Sequence, residues 1–330
     1  MADAVLEVRN LKVAFPCPGG VIRAVEGIDL DIEQGRCAAL VGESGCGKSV
    51  SALAIMKLLN TPPAVWRVDR LRLDDLDLAH LPDRQMERIR GKHMAIVFQD
   101  AMTALNPVMT VGKQIDEVYL RHSRLSRREA RQRTIKALEL VGVPEARSRA
   151  NSYPHQLSGG MRQRVLIALA FACVPKLIIA DEPTTALDVT IQAQVLDVLK
   201  SMQRVHRVSA LLITHDLSVV ANMADHVYVM YAGKIVERAA LQELFVAPLH
   251  PYTDGLLASV PRISDERQPF VQIPDAVPHP MRKPTGCYFH PRCPRSSELC
   301  ERRMPHLEAR ADERAVRCWH PLLQRDEVRS

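Results

Sequence analysis

The sequence predicts an α/β fold with a parallel β-sheet core, antiparallel strands near the amino end and a small cysteine-bearing domain at the carboxyl end. One observation is an apolar segment, 37–41, that leads through a glycine-rich turn into a helical pattern over 50–59. Another is a set of apolar segments that each end at polar residues, 94–98, 177–180 and 210–214. Parallel strands are buried on both faces and carry ligand groups at their carboxyl ends. The third is that four of the eight cysteines lie beyond position 286.

The composition is that of a soluble globular chain with a sizeable core. Of 330 residues, 47% are hydrophobic and 25% are charged. The net charge of +6 comes from scattered lysines and arginines, which indicates a solvated mixed surface. The longest apolar run, 165–174, is too short to span a membrane and is predicted to be a helix, and residues 1–7 lack the features of a signal peptide. We therefore expect a cytosolic protein that acts at a membrane only through partner subunits.

The first elements alternate apolar and polar residues. Segments 5–9 and 27–32 are predicted to be strands of an antiparallel sheet with one solvated face. Prolines and glycines between positions 16 and 20 predict a turn between the two strands. Phe15 lies at the edge of this turn, where its ring could stack on a nucleotide base or could equally be a core aromatic.

A phosphate-binding pattern follows the segment 37–41. It consists of Gly42, Glu43, Ser44, Gly45, Cys46, Gly47, Lys48 and Ser49. The glycines allow consecutive backbone N–H groups to surround one anion, and the helix that follows directs the positive end of its dipole to the same place. Lys48 can reach the β- and γ-phosphates, and the Ser49 hydroxyl can bind Mg²⁺. These residues predict a nucleoside triphosphate site.

The middle of the chain adds polar residues at the ends of predicted elements. Gln99 follows one of the predicted parallel strands, and the stretch 101–165 has the polar helical pattern of an inserted subdomain. Toward its end, an apolar helix is preceded by Ser158, Gly159 and Gly160. A serine and free N–H groups at a helix start can bind an anion, and they are also typical of a plain helix cap.

Three acids and a histidine follow further predicted strands. Asp181 and Glu182 come directly after the strand 177–180, and carboxylates there can hold Mg²⁺ and polarise a water. Asp188 leads into a helix predicted to reach about position 205. His215 follows the next predicted strand, at the edge of the sheet that faces the phosphates, where it can contact the γ-phosphate.

The carboxyl-terminal third contains a hairpin and a second group of candidate ligands. Segments 227–230 and 234–236 predict a hairpin that closes the core, and a proline-rich linker is predicted over 261–284. The candidate ligands are the thiols of Cys287, Cys293, Cys300 and Cys318. Four thiols in a reducing compartment indicate a metal site rather than disulfides. Their spacing is not that of a zinc ribbon, so the pattern leaves zinc and an iron–sulfur cluster open.

In order and spacing, these motifs resemble those of the ATP-binding cassette (ABC) ATPases of transporters, over about residues 5–240. By this resemblance, residues 42–49 correspond to the Walker A motif, Gln99 to the Q-loop and residues 157–161 to the signature motif. Residues 177–182 correspond to Walker B, residues 186–188 to the D-loop and His215 to the switch histidine.

A narrower resemblance is to the D-type subunit of the oligopeptide/dipeptide importer ATPases. It rests on the segments 98–107, 153–156, 181–190 and 248–253. Met161 stands where many cassettes have glutamine, which is typical of the D-type subunit. Ala101 and Ala104 depart from the family, which usually has proline and serine there, at positions that lie toward the membrane-subunit contact.

The resemblance implies a domain organisation and cofactors. It implies an ABC ATPase domain over 1–240, with a RecA-like core, antiparallel β strands and a helical subdomain near 101–165. A C-terminal domain over 241–330 would carry the four cysteines with a 4Fe-4S cluster, or Zn²⁺ as the alternative. ATP and Mg²⁺ are the other cofactors implied.

The resemblance also implies roles and partners. Glu182 would be the general base, Gln99 and His215 would sense the γ-phosphate, and Ser49, Gln99 and Asp181 would bind Mg²⁺. The residues expected to contact ATP held by an opposite cassette are Ser158, Gly159, Gly160 and Asp188. The implied partners are a second ABC ATPase subunit (a sister chain), two transmembrane permease subunits and a solute-binding protein, at the cytoplasmic face of the inner membrane, with no nucleic acid.

Two alternatives stay open from the sequence. The same machinery could import another solute, such as nickel, glutathione or a sugar. A soluble cassette ATPase acting on nucleic acid is the other, although the sequence has neither a long coiled-coil insertion nor a second cassette. The cysteine region could also act as a redox or iron sensor that regulates the ATPase.

Overall fold

A computed structural model of the chain describes residues 4–185, 187–259, 273–310 and 313–322. The predicted linker 261–284 and the D-loop residue Ala186 therefore lie partly or wholly outside the described residues.

The described elements are groups of strands and groups of helices that follow one another along the chain. The strands are β1 Ala4–Cys17, β2 Gly20–Glu33, β3 Cys37–Val41, β4 Val65–Arg67, β5 Arg70–Leu73, β6 Leu76–Asp77, β7 Met94–Val97, β8 Leu177–Asp181, β9 Ser209–Thr214, β10 His226–Tyr231, β11 Lys234–Ala240, β12 Glu308–Ala309 and β13 Ala315–Val316. The helices are α1 Lys48–Ile55, α2 Asp83–Ile89, α3 Ala101–Ala104, α4 Val111–His122, α5 Arg127–Leu140, α6 Ala146–Arg149, α7 Gly159–Phe171, α8 Val189–His206, α9 Leu217–Met223, α10 Leu241–Val246, α11 Pro251–Ala258 and α12 Glu298–Arg302.

The chain divides into two units, each with part of the predicted sheet. The helical unit comprises residues 4–6, 32–37 and 72–213. In it, β7 pairs with β8 and β8 with β9, both in parallel, and the side chains of β8 and β9 are buried throughout. Helices α4, α5 and α7 pack on one another. This arrangement agrees with the predicted buried parallel strands and inserted helices.

The phosphate-loop unit comprises residues 7–31, 38–71 and the described residues from 214 onward. Its strand β3 is buried along its whole length and runs parallel to β10. The predicted hairpin is formed by β10 and β11, with Ala232 and Gly233 at positive φ in the turn. The amino-terminal strands β1 and β2 are hydrogen-bonded neighbours, as predicted.

The carboxyl-terminal region is built into the phosphate-loop unit. Strand β13 pairs antiparallel with β11 and so extends the same sheet. Tyr231, Tyr252 and Phe289 are almost fully buried, and their ring centroids lie 4.7 to 5.4 Å apart. Aromatic rings packed in this way contribute both buried area and edge-to-face attraction. The region after residue 273 therefore shares a core with the phosphate-binding loop.

Two predicted helices have different ends in the structure. Helix α1 begins at Lys48 rather than 50 and ends at Ile55 rather than 59, because Lys57 adopts a positive φ that a helix does not continue through. Helix α7 begins at Gly159 rather than 165 and ends at Phe171 rather than 174. The prediction from the apolar run left out the polar first turn of α7, which Ser158 caps. At the other end, Val174 has a positive φ, which a helix does not continue through.

Among the helices that the structure describes, none combines the length and the apolar character that crossing a membrane requires.

Candidate nucleotide site and cysteine site

The phosphate-binding loop is shaped by three glycines in the left-handed region, two of which also lie close to neighbouring backbone. Gly42, Gly45 and Gly47 all have positive φ, at 151°, 79° and 110°. A side chain at Gly42 would lie 2.1 Å from the carbonyl oxygen of Met230, and one at Gly47 would lie 2.4 Å from that of Ala24. The loop therefore has both the backbone conformation and the close approach that only glycine allows.

Lys48 is buried at the start of α1 and turns back over the loop. Its Nζ donates to the carbonyl oxygens of Gly42 and Glu43, at 2.7 and 3.1 Å. The residue as a whole is only 4% exposed. An ammonium held at this point places a positive charge against the loop that would cradle phosphates. Ser49 follows in the same first turn, and the described loop also contains Ser44 and Cys46.

Glu43 is held from two sides by the carboxyl-terminal region. Its backbone N–H donates to the Tyr252 hydroxyl at 2.9 Å. Its carboxylate accepts two parallel bonds from Arg292, at 2.7 Å from Nη1 and 3.0 Å from Nη2. Burial lowers the pKa of Arg292, but the hydrogen bonds with Glu43 and Tyr231 outweigh it, so that this pKa lies above its usual value. This ion pair was not predicted from the sequence.

In the helical unit, the structure brings Gln99 and Glu182 together. The Gln99 Nε2 donates to Glu182 Oε2 at 3.2 Å, and the Thr185 hydroxyl donates to the same oxygen at 2.9 Å. Glu182 has φ 45°, and its N–H donates to the carbonyl oxygen of Ile213 at 2.8 Å. A non-glycine residue in the left-handed region carries strain that is found most often at functional sites. Asp181, at the end of β8, is buried.

The signature serine and the acid before α8 both cap helices. Ser158 Oγ accepts the N–H of Met161 at 3.3 Å, and the Asp188 carboxylate accepts the N–H of Ile191 at 3.0 Å. A side chain at Gly160 would lie 2.5 Å from Ile191 Cγ2, so this glycine is required for the packing of α7 on α8. These contacts explain the residues structurally, and any contact with nucleotide is an additional role.

The remaining predicted residues lie in the phosphate-loop unit. Phe15 is half-buried near the end of β1, and His215 is exposed directly after β9. Their predicted contacts with the nucleotide base and the γ-phosphate stay predictions.

The four carboxyl-terminal cysteines line one cavity. Its walls are formed by Cys287, Cys293, Cys300 and Cys318 together with His250, Pro251, Phe289, His290, Arg295, Trp319 and His320. Burial raises the pKa of Cys318 to about 12 and also raises the pKa of Cys287 and of Cys293. The thiols of Cys287, Cys293 and Cys318 are therefore protonated near neutral pH until a metal displaces the protons. The structure places these four distant sequence positions at one cavity.

The four thiols together form a donor set that fits a metal centre. Zinc lies about 2.3 Å from each thiolate sulfur, so two of its sulfur ligands are at most ~4.6 Å apart. Among the described residues, no three of these cysteine sulfurs lie within 4.8 Å of one another. Four thiolates are a donor set of both structural zinc sites and iron–sulfur clusters. The Cys318 sulfur also accepts the N–H of His320 at 3.3 Å, a bond of the kind that tunes such clusters.

Sequence reasoning missed Arg292 and Tyr252 as functional residues. Arg292 is separated from Glu43 by 249 positions, and no local pattern reveals such a pair. The nearest signal in the sequence is its position directly before Cys293, a candidate metal ligand.

Comparisons with known families and structures agree with this arrangement. The ABC transporter profile matches residues 25–185. The dimeric post-hydrolysis structure of the ATP-binding cassette MJ0796 bound to ADP and Pi aligns with a TM-score of 0.64 and 27% identity, over 72% of this chain and 98% of that one. The structure of cbiO1 from Clostridium perfringens aligns with a TM-score of 0.61 and 26% identity, over 74% of this chain and 91% of that one. The chain is an ATPase of the ATP-binding cassette class.

Relatives that match nearly the whole chain identify the particular family. The profile of the oligopeptide/dipeptide transporter C-terminal region matches residues 236–300. The dipeptide transport ATP-binding protein DppD of Bacillus subtilis is 48% identical over 96% of this chain and 95% of its own length. The oligopeptide transport ATP-binding protein OppD of Salmonella typhimurium is 43% identical over 97% of this chain and 95% of its own length. The chain belongs to this family of transporter ATP-binding proteins.

Proposed function

We propose that the chain binds and hydrolyses ATP to drive the uptake of di- or oligopeptides through partner membrane subunits. The observation that carries this proposal is the 48% identity with a dipeptide transport ATP-binding protein, which extends over 96% of the chain. The match of residues 236–300 to the oligopeptide/dipeptide transporter C-terminal region supports the same solute class.

The site residues divide into groups with distinct roles in this proposal. Lys48 and the loop N–H groups bind the β- and γ-phosphates, and Ser49, Gln99 and Asp181 bind Mg²⁺. Glu182 polarises the attacking water, which is supported by its fixed carboxylate and strained backbone. Phe15 stacks on the base, and His215 contacts the γ-phosphate. The residues that act on ATP held by the opposite cassette are Ser158, Gly159, Gly160 and Asp188.

The proposed assembly contains two cassettes and two permease subunits. One chain carries one set of motifs, so a second cassette, a sister chain, must complete each ATP site. The chain is a peripheral subunit at the cytoplasmic face of the inner membrane, and a solute-binding protein delivers the peptide. ATP binding closes the pair of cassettes, and loss of the γ-phosphate removes the contacts that hold it closed.

The proposed cofactor of the carboxyl-terminal region is a 4Fe-4S cluster held by Cys287, Cys293, Cys300 and Cys318. The shared cavity supports it, and so does the finding that, among the described residues, no three of these sulfurs lie within 4.8 Å of one another. A cluster there would stabilise a region in which the described helices and strands after residue 273 are short.

Copurification from the native host tests the assembly and the solute. The tagged chain, solubilised anaerobically with its membranes, should bring two multispan subunits and a second cassette. The associated binding protein is then screened with dipeptides and oligopeptides against nickel, glutathione and sugars. Recovery of the chain alone from the soluble fraction, or with nucleic acid, contradicts transport. Binding of only a non-peptide solute contradicts the proposed solute class.

A further inference from the structure

The guanidinium of Arg292 is the centre of a fully satisfied hydrogen-bond network. Nε donates to the carbonyl oxygen of Pro274 at 2.8 Å, and Nη2 donates to that of Asp275 at 3.0 Å. Nη1 lies 3.4 Å from the Tyr231 hydroxyl, and the remaining two N–H groups bind the Glu43 carboxylate. An arginine offers five N–H donors, and here every one has an acceptor.

This network joins separate segments of one unit at the phosphate-binding loop. Pro274 and Asp275 belong to the carboxyl-terminal region, Tyr231 ends β10, and Glu43 is the second residue of the loop. The Arg292 side chain is 3% exposed, whereas that of Glu43 is 29% exposed. A buried arginine with a bidentate carboxylate is geometrically rigid, because both groups are planar and neither can rotate without losing a bond.

The position of Glu43 makes this rigidity relevant to nucleotide binding. Its carbonyl oxygen accepts from Lys48, so the same residue contacts both Arg292 and the phosphate-binding lysine. A loop that is already held in the binding conformation loses less conformational freedom when a ligand binds. Arg292 also neutralises a carboxylate on a loop that must receive an anionic triphosphate.

We propose that Arg292 is a positioning residue for the phosphate-binding loop and that it raises ATP affinity by holding Glu43. The inference deepens the proposed function, since it rests on the loop binding ATP. Arg292 does not touch the nucleotide in this mechanism, because it acts through Glu43.

The test compares Arg292→Met with a matched buried arginine. Arg314 is 2% exposed at its side chain and pairs with Glu237 in the same unit, but its described contacts are with Glu237, Glu243 and Ala247 and not with the loop. Arg314→Met therefore loses a comparable buried ion pair. Equilibrium binding of a fluorescent ATP analogue and the thermal midpoint are measured on the full chain for both variants.

We expect both variants to lower the thermal midpoint and only R292M to weaken ATP binding, by about tenfold. Arg292→Lys keeps the charge without the planar fork and should recover only part of the affinity. A second comparison uses Glu43→Gln and the double variant R292M/E43Q. Because Arg292 acts through Glu43, the loss in the double variant should be much smaller than the product of the two single losses.

Three results would overturn the inference. They are wild-type affinity in R292M, equal weakening in R314M, and independent multiplicative losses in the double variant. If the wild-type chain itself fails to bind the analogue, the proposed function fails instead, so the two failures are distinguishable.

Discussion

Glu182 combines a strained backbone with a carboxylate whose orientation is fixed. One oxygen accepts hydrogen bonds from both Thr185 and Gln99. Because a carboxylate is planar, these bonds also fix the direction of the second oxygen. The sequence predicted this acid from its place after an apolar strand, but its positive φ and its two donors are products of the folded chain. Strain of this kind is retained where it serves a function.

Glu182→Gln should abolish hydrolysis without abolishing ATP binding. Glutamine has the same shape but cannot accept a proton from water, so we expect ATPase activity of the assembled transporter to fall by about 10²-fold or more. The variant should accumulate the ATP-bound closed pair and stop uptake. The measurements are phosphate release and nucleotide retained after gel filtration.

A matched surface variant is Glu87→Gln. Glu87 forms an exposed ion pair with Arg121 at 3.0 Å, in the same unit, and such pairs contribute little to stability. E87Q should keep normal turnover. Normal turnover in E182Q as well would show that another group activates the water.

At the scale of elements, α5 and α7 begin with the same kind of serine cap. Ser126 Oγ accepts the N–H of Glu129 at 3.3 Å, and Ser158 Oγ accepts that of Met161 at the same distance. Ser126 also has the reciprocal bond from Glu129 that completes a capping box. The two helices therefore offer a comparison between a structural cap and a cap that is also predicted to meet ATP.

Ser158→Ala and Ser126→Ala should each lower the free energy of unfolding by about 1 kcal/mol, because each leaves a helix N–H group without its side-chain acceptor. Only S158A should also lower the ATPase activity of the assembled transporter, since Ser158 is proposed to contact the γ-phosphate on the opposite cassette. Chemical denaturation of the single chain and steady-state ATPase activity of the assembly measure the two effects. Equal ATPase activity in both variants would leave Ser158 with a capping role alone.

The sequence predicted the types of these elements better than their ends. Buried strands such as β8 and β9 are evident from continuous apolar runs, because both faces are covered. The start of α7 was missed because its first turn is polar, and helix boundaries depend on caps more than on hydrophobicity. Arg292 could not be predicted at all, since its role depends on contacts with Tyr231 and Glu43 that only folding creates.

At the scale of the molecule, the carboxyl-terminal region is connected to the chemistry at the amino-terminal loop. The family resemblance implies a domain boundary near residue 240, and that boundary stays a prediction. In the structure, β13 extends the sheet of β10 and β11, and Arg292 reaches the phosphate-binding loop. The residue after Arg292 is Cys293, which lines the cysteine cavity. A residue that lines the cysteine cavity is therefore the direct neighbour in sequence of the arginine that holds Glu43.

Removal of the metal proposed at the cysteine site should consequently weaken ATP binding as well as stability. Chain prepared anaerobically is analysed for iron, sulfide and zinc, and a portion is stripped with an oxidant and a chelator. Without metal, Cys293 and the other three cysteines are no longer held together by a shared metal centre. The segment that carries Arg292 then becomes less ordered. We expect the thermal midpoint to fall by several degrees and the affinity for a fluorescent ATP analogue to fall about fivefold.

The variant R292M separates the two effects of metal removal. Stripping it should still lower the thermal midpoint, because the cysteine site is intact in this variant. Its ATP affinity should not fall further, because the connection through Arg292 and Glu43 is already absent. An affinity that is unchanged by stripping the wild-type chain would show that the cysteine site stabilises its own region alone. A chain that contains no iron, whether it holds zinc or no metal, would contradict the proposed 4Fe-4S cluster.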